Sequence, residues 1–263
     1  MCLILMSYEN HPNYQLILAA NRDEYYARPT TALAFWQDCP HVLAGRDLKS
    51  GGSWLGITRT GRLAAVTNYR DPTSNQPDAR SRGQLVRDFL TGSAPPQRYL
   101  QEIRQAAAAF NGFNLLLWAD SQLWYYSNRS DTIKQLAAGL YGLSNHLLDT
   151  TWPKVVKGKQ AFSDYLADAD DVDPAAIFAI LADQSRPPDT LLPKTGVGLP
   201  WERVLSPLFI TSEFYGTRSS SIVLVDRGRK VTFLERCFKP DGHRVIPNQT
   251  KTVWFQIEPS GKY

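Results

Sequence analysis

Residues 1–24 read MCLILMSYENHPNYQLILAANRDE. Two apolar runs, 3–6 and 16–20, flank Glu9-Asn10-His11-Pro12-Asn13, which has the length and turn chemistry of a hairpin loop. Strands over 2–8 and 14–20 follow from this pattern. Pairing Tyr8 with Tyr14 sets Cys2 opposite Ala20, one residue from the polar cluster Asn21-Arg22-Asp23-Glu24. The cluster either caps the strand end in solvent or shares a pocket with Cys2, and local composition leaves both readings open.

The chain totals narrow the class. At 263 residues, with 43% apolar and 21% charged residues, the chain can bury a substantial core and reads as one globular unit over 1–263. A net charge of +4 suits a small anionic ligand but is not the basic stripe of a nucleic-acid binder. No apolar run approaches the ~20 residues of a membrane helix, and the N-terminus lacks the basic region and cleavage site of a signal peptide. Cys2, Cys39 and Cys237 form no CxxC pair, which points to a reducing, cytoplasmic setting and away from disulfides or zinc.

Along the chain, further strands are predicted at 42–46, 53–58 and 62–68, then a long loop at 69–81 of the kind that often carries function. Helices at 83–91 and 97–109 precede strands at 112–118, 122–127 and 140–144. Helices at 153–167 and 174–183 come next, the second with Asp173 as N-cap and Pro174 at its first position. Residues 184–207 read as irregular, and strands return at 208–213, 219–226, 231–238 and 251–257. Two blocks of strands separated by helices imply an α+β fold with helices outside two antiparallel sheets.

Several residues carry candidate chemistry. A small residue at position 2 permits loss of Met1, leaving a cysteine whose own α-amine, with a pKa of about 8, takes the thiol proton through a water. Arg22 would lower the thiol pKa and Asp23 would orient the ammonium. Alternation sends Arg22 and Asp23 to opposite faces, so both serve one pocket only where the strand bends or bulges. The plainer reading of Cys2 is a small buried hydrophobe in a terminal strand. Asn68 and Asn145 each stand where an apolar strand stops, either as turn residues or as amide donors to an oxyanion, a role worth roughly 3–4 kcal/mol. Gly51-Gly52-Ser53-Trp54 fits a tight turn better than an anion-binding nest and lacks the Lys-Ser/Thr of a P-loop. His11, His41, His146 and His243 show no metal-ligand spacing, and His146, beside Asn145, is the one placed to meet a ligand. The run Lys154–Lys159 reads as a solvated basic helix face.

"MC" at the start, "AANRDE", "GGSWLGIT", "GRLAAVTNYRDP", "YGLSNHLLDTTWPKV" and "GTRSSSIVLVD" together resemble the NRDE-domain family, that of transport and Golgi organisation 2, from residue 1 to about 237. The resemblance implies an N-terminal-nucleophile hydrolase fold: two stacked antiparallel sheets between helical layers, an αββα sandwich. More distantly, the layout is similar to choloylglycine hydrolases and penicillin V acylases. That similarity implies Cys2 as nucleophile, Arg22 and Asp23 as the second-strand pair, Asn68 and Asn145 as oxyanion amides, and Arg218 as the late arginine. Arg22 and Asp23 are adjacent here where those hydrolases separate theirs by two positions, and the spacing to Asn145 is shorter. The family implies handling of haem, or of coenzyme A and acyl lipids, by a carrier or chaperone, with hydrolysis of an amide or thioester as the alternative. Asn21, Glu24, Trp54, Tyr69, Arg70 and His146 are the expected ligand contacts. No resident cofactor or metal is implied, and haem would be cargo.

Overall fold

The computed structural model describes residues 2–241 and 244–259. His243 and Met1 lie outside the described residues. One antiparallel sheet contains β1 (Cys2–Tyr8), β2 (Tyr14–Tyr25), β10 (Gly139–Leu143), β11 (Tyr215–Asp226), β12 (Lys230–Asp241) and β13 (Arg244–Gln256), in the order β10-β1-β2-β11-β12-β13. The other contains β3 (Thr30–Phe35), β4 (Val42–Asp47), β5 (Leu55–Thr58), β6 (Leu63–Asn68), β7 (Phe113–Ala119), β8 (Gln122–Ser127) and β9 (Thr132–Leu136), in sequence order. Helices α1 (Gly83–Thr91) and α2 (Pro96–Gln105) cover the seven-stranded sheet, and α3 (Pro153–Ala167) and α4 (Pro174–Leu181) cover the six-stranded one. A short α5 (Leu199–Leu205) lies ahead of β11.

This layering explains the continuous apolar runs of the central strands, which are buried on both faces. In β1, Ile4, Met6 and Tyr8 join Leu16 and Leu18 of β2 in the core between the sheets. Leu3 and Leu5, with Ile17 and Ala19, pack under α3 and α4 against Phe162, Ile177 and Leu181. β7 divides in the same way: Leu116 and Trp118 face the other sheet, while Phe113, Leu115 and Leu117 meet α1 and α2.

The hairpin register differs from the expected one. Tyr8 lies opposite Leu16 and Cys2 opposite Arg22, because Glu9, at φ +47°, extends the turn and donates its backbone N–H to the Gln15 carbonyl. The shift of two residues leaves every side chain on its predicted face. Two strands are present that the sequence pattern does not reveal, β3 and β9; both are edge strands, short and largely exposed on one side. Residues 208–213 are not a strand. The Phe209 N–H bonds to Asp183 O, and the Ile210 N–H bonds to the Thr217 hydroxyl, folding the segment back over the start of β11. The first part of 97–109 is α2, and after Gln105 a 3-10 turn follows at Ala107–Ala109. Asp173 caps α4 as expected, its carboxylate accepting the Ala175 N–H at 2.8 Å.

Gly51-Gly52-Ser53-Trp54 is the tight turn. Gly51 adopts φ +69°, and the Ser53 N–H donates to the Gly83 carbonyl at 3.1 Å, seating the turn on the start of α1. A Cβ on Gly52 would fall on the Gly83 carbonyl, a backbone group that cannot turn aside. Gly52→Ala should therefore lower the urea midpoint by the equivalent of about 1–3 kcal/mol. An unchanged midpoint would mean that the two backbones do not approach as described.

Candidate functional site

The register of β1 and β2 builds the site. Cys2 and Arg22 are paired across the hairpin and both face the other sheet, where the Arg22 guanidinium lies 4.1 Å over the Trp54 ring. They open onto a cavity of ≈ 530 Å³ whose lining includes Cys2, Arg22, Asp23, Glu24, Ser53, Trp54 and Asn68. Burial pushes the Cys2 thiol up, and the Asp23 carboxylate adds to this; the Asp23 backbone N–H and the Arg22 charge pull the other way without overcoming it.

Asn21 and Asp23 point to the opposite, helical side of the sheet, as alternation requires. Asn21 is fully buried: its amide donates to the Leu181 and Leu208 carbonyls, both at 2.8 Å, and its oxygen accepts from Ser220 Oγ at 2.6 Å. The buried Asp23 carboxylate accepts from Thr217 Oγ1 at 2.8 Å. It faces the field of Lys154, which is itself buried, with its Nζ donating to Leu205 O at 3.1 Å. The run at 154–159 is thus a solvated face only in part, because its first lysine is turned into the protein. Burial disfavours the charged form of both partners, and each one's charge only partly offsets the cost to the other. The bulge anticipated at this point lies in the neighbouring strand β11, between Thr217 and Ser219.

The cavity also gathers charges that the sequence pattern did not single out. Arg28, Lys49, Arg80 and Arg82 line it together with Arg22, against the acids Glu24 and Asp47. Glu24 sits 4.0 Å from Arg22 and 3.7 Å from Arg28, and Arg28 holds Asp47 through two bonds of 3.1 and 2.6 Å. Arg82 is half-buried, its pKa drawn down by burial, and it donates to Gly112 O at 3.0 Å. These residues lie in unremarkable loop sequence, and only the closure of the two sheets brings them together.

The remaining expected residues divide. Asn68 lines the cavity. Asn145 is fully buried, with its amide donating to the Asn68 carbonyl at 2.8 Å, and it braces that residue from behind. Arg218, at the bulge, spends one guanidinium nitrogen on the carbonyls of Tyr25, Tyr26 and Arg28 at 2.9, 2.9 and 3.1 Å. Tyr69 and Arg70 line a second cavity of ≈ 560 Å³ that shares Glu24, Arg28, Asn68 and Arg82 with the first. His146 contacts Tyr69 Oη at 2.7 Å and Thr150 Oγ1 at 2.9 Å, so both ring nitrogens are engaged. The loop at 69–81 supplies walls to both cavities and is tied down at Tyr69, Arg70, Gln76 and Arg80 by bonds to 109–112 and to Asn145. Among the described residues no three His, Cys, Asp or Glu side chains are grouped to hold a metal ion. The arrangement is suited to holding carboxylates or phosphates beside a thiol.

The chain matches the Transport and Golgi organisation 2 family over residues 1–240. It is 38% identical over 256 residues to the "Transport and Golgi organization protein 2 homolog" of Bos taurus, covering 90% of this chain and 92% of that protein. It is 36% identical over 257 residues to the Mus musculus homolog, with the same coverage. Among solved structures it is similar to a variant of conjugated bile acid hydrolase from Clostridium perfringens, with a TM-score of 0.51 and 10% identity over 100% of this chain and 99% of that one. That likeness is one of fold, the N-terminal-nucleophile hydrolase sandwich.

The buried lysine has a measurable signature. Burial lowers the Lys154 pKa from 10.5 to about 8. Between those values the unfolded chain binds a proton that the folded chain has released, so this residue makes stability rise with pH across that window. Buried tyrosines and thiols act in the opposite sense, so the readout is the difference from Lys154→Met. From about pH 8 to pH 10 the wild type should gain on the variant by about 2 kcal/mol in urea unfolding. A difference independent of pH would show that Lys154 titrates normally.

Proposed function

The chain belongs to the Transport and Golgi organisation 2 family, and we propose that it is a carrier that holds a small anionic ligand in the cavity around Cys2. One observation supports this reading above the others: Arg22, Arg28, Lys49, Arg80 and Arg82 converge on a single space of ≈ 530 Å³ beside the thiol. Guanidinium groups grip carboxylates and phosphates through paired donors, and their attraction is stronger where the walls exclude water. The phosphates of a CoA-type ligand or the propionates of haem have the matching chemistry. With both His146 nitrogens engaged, recognition of haem would fall to its carboxylates. The cysteine usage is consistent with a cytoplasmic carrier, and among the described residues no helix is long and apolar enough to cross a membrane.

A second reading, hydrolysis of an amide or thioester, is favoured by the placement of Cys2 in the cavity wall with the Asp23 N–H directed at its sulfur. In that reading loss of Met1 frees the Cys2 amine to take the thiol proton, the sulfur attacks the acyl carbon and expels the amine or thiol, which leaves with that proton, and water then cleaves the acyl–sulfur bond to release the acid and restore the thiol. The carrier reading is preferred because two groups that such chemistry would recruit are occupied: the Asn145 amide on Asn68 O, and Arg218 on three backbone carbonyls.

Calorimetric titration with CoA and with haem separates the two. The carrier reading expects saturable binding that weakens with salt, drops about tenfold or more in Arg80→Ala/Arg82→Met, and survives Cys2→Ser. Absence of binding to either ligand, or indifference to the arginine substitutions, would overturn it. Multiple turnovers of an acyl thioester that vanish in Cys2→Ser would transfer the assignment to the hydrolase.

A further inference from the structure

The strands that bring Cys2 and Arg22 together at one end of the sandwich carry a different set of side chains at the other. Cys2 and Tyr8 are the two ends of β1, about 20 Å apart, and the Tyr8 hydroxyl donates to Ser121 O at 2.7 Å. Three hairpin turns converge here: that of β5 and β6 at Thr60-Gly61, that of β7 and β8 at Asp120-Ser121, and that of β11 and β12 at Arg229, with Ile257 just beyond β13. Together with Trp118 they line a cavity of ≈ 260 Å³ that shares no residue with either cavity near Cys2.

Its walls are tied to one another. Gly61, at φ +83°, approaches Ile257 so closely that a Cβ would lie 2.9 Å from that side chain. The Ile257 N–H donates to Arg229 O at 3.0 Å and the Glu258 N–H to Arg59 O at 2.9 Å, which joins turns from the two sheets. Thr60 Oγ1 is engaged with Thr58 Oγ1 at 2.9 Å, and Ser121 Oγ donates to Gln15 Oε1 at 3.3 Å.

Three groups in the lining are left over. Trp118 is 3% exposed, and its indole N–H is buried without a partner among the described residues. Such a donor costs stability until something accepts from it. Among the same residues the Asp120 carboxylate and the Arg229 guanidinium join no hydrogen bond or ion pair. Arg62, whose charge Asp120 meets, spends its guanidinium on the Phe89 and Ala94 carbonyls. Arg229 holds φ +66°, a conformation that favours glycine, so a long cation stands at this turn against the backbone's preference.

We propose that this cavity is a second ligand site and that it takes a small zwitterion, an amino acid. The carboxylate of the ligand lies on the Arg229 guanidinium and accepts from the Trp118 indole N–H, and its ammonium faces Asp120. One cation, one anion and one neutral donor match a molecule that carries both charges and no net one. The site stands whether or not a ligand is held beside Cys2.

The indole N–H resonances of the isotope-labelled protein give the readout, and Trp118→Phe identifies the Trp118 peak among those of seven tryptophans. L-Alanine or γ-aminobutyrate should move that peak downfield and saturably at millimolar concentration, the stronger binder being the one whose spacing spans Asp120 and Arg229. Arg229→Gln and, independently, Asp120→Asn should weaken the titration by about tenfold or more, as should propionate or propylamine in place of the zwitterion. Asparagine tolerates the φ of +51° at position 120, and the remaining indole peaks report that each variant is folded. A Trp118 peak that neither amino acid moves would overturn the site. An equal shift with propionate that ignores Asp120→Asn would reduce it to an anion site and overturn the zwitterion. A titration unchanged in Arg229→Gln would show that the ligand is held elsewhere.

Discussion

The fully buried side chain of Asn21 is the constraint from which the site follows. Its amide bridges the last carbonyl of α4 and the Leu208 carbonyl, and its oxygen takes the Ser220 hydroxyl. Three of its four bonding positions are filled by groups from three different segments, which an apolar residue could not hold together without stranding polar groups in the interior. With β2 fixed in depth by these bonds, alternation sends Arg22 and Glu24 into the cavity and Asp23 back toward Thr217. Four consecutive polar residues thus serve two layers, two holding the helical side and two shaping the space between the sheets.

The bulge in β11 extends the same logic. One extra residue in that strand lets Thr217 meet Asp23 while Arg218 turns to the carbonyls of residues 25–28. That turn carries Arg28 to Glu24 and Asp47, and so completes the charged rim. The arginine late in the chain therefore acts on the site through the backbone that it gathers.

Much of this was legible in the sequence, and the failures have physical causes. Continuous apolar runs reveal strands buried on both faces, which is why β1, β6 and β7 stand where the pattern put them, while β2 runs past its expected end at 20 to Tyr25 because its polar residues also pair with β11. β3 and β9 escape because an edge strand with one wet face needs few apolar residues. The hairpin register slipped by two because turn length, set by Glu9 at positive φ, is invisible to a hydrophobic pattern of period two. Residues 208–213 have a strand's composition, but Phe209 bonds to Asp183 outside any strand and Ile210 to the side chain of Thr217, so the segment joins no ladder. Arg82 and Lys154 were unreadable for the same reason: a basic residue in a loop or in the first turn of a helix normally points to water, and only the tertiary fold closes over it.

The electrostatics around Cys2 bear on what the cavity can do. Burial and the Asp23 carboxylate raise the thiol pKa, and Arg22 and the Asp23 N–H recover only part of that rise. At neutral pH the sulfur is therefore held as a thiol, a weak nucleophile until a base takes its proton. Lys154 supplies positive charge behind Asp23, but its nitrogen is spent on the Leu205 carbonyl on the far side of the sheet. In the carrier reading this protonated state has a use. A ligand anchored by arginines beside a thiol that does not ionise can be held and released without covalent capture, and the same cations that bind its head need not activate the sulfur.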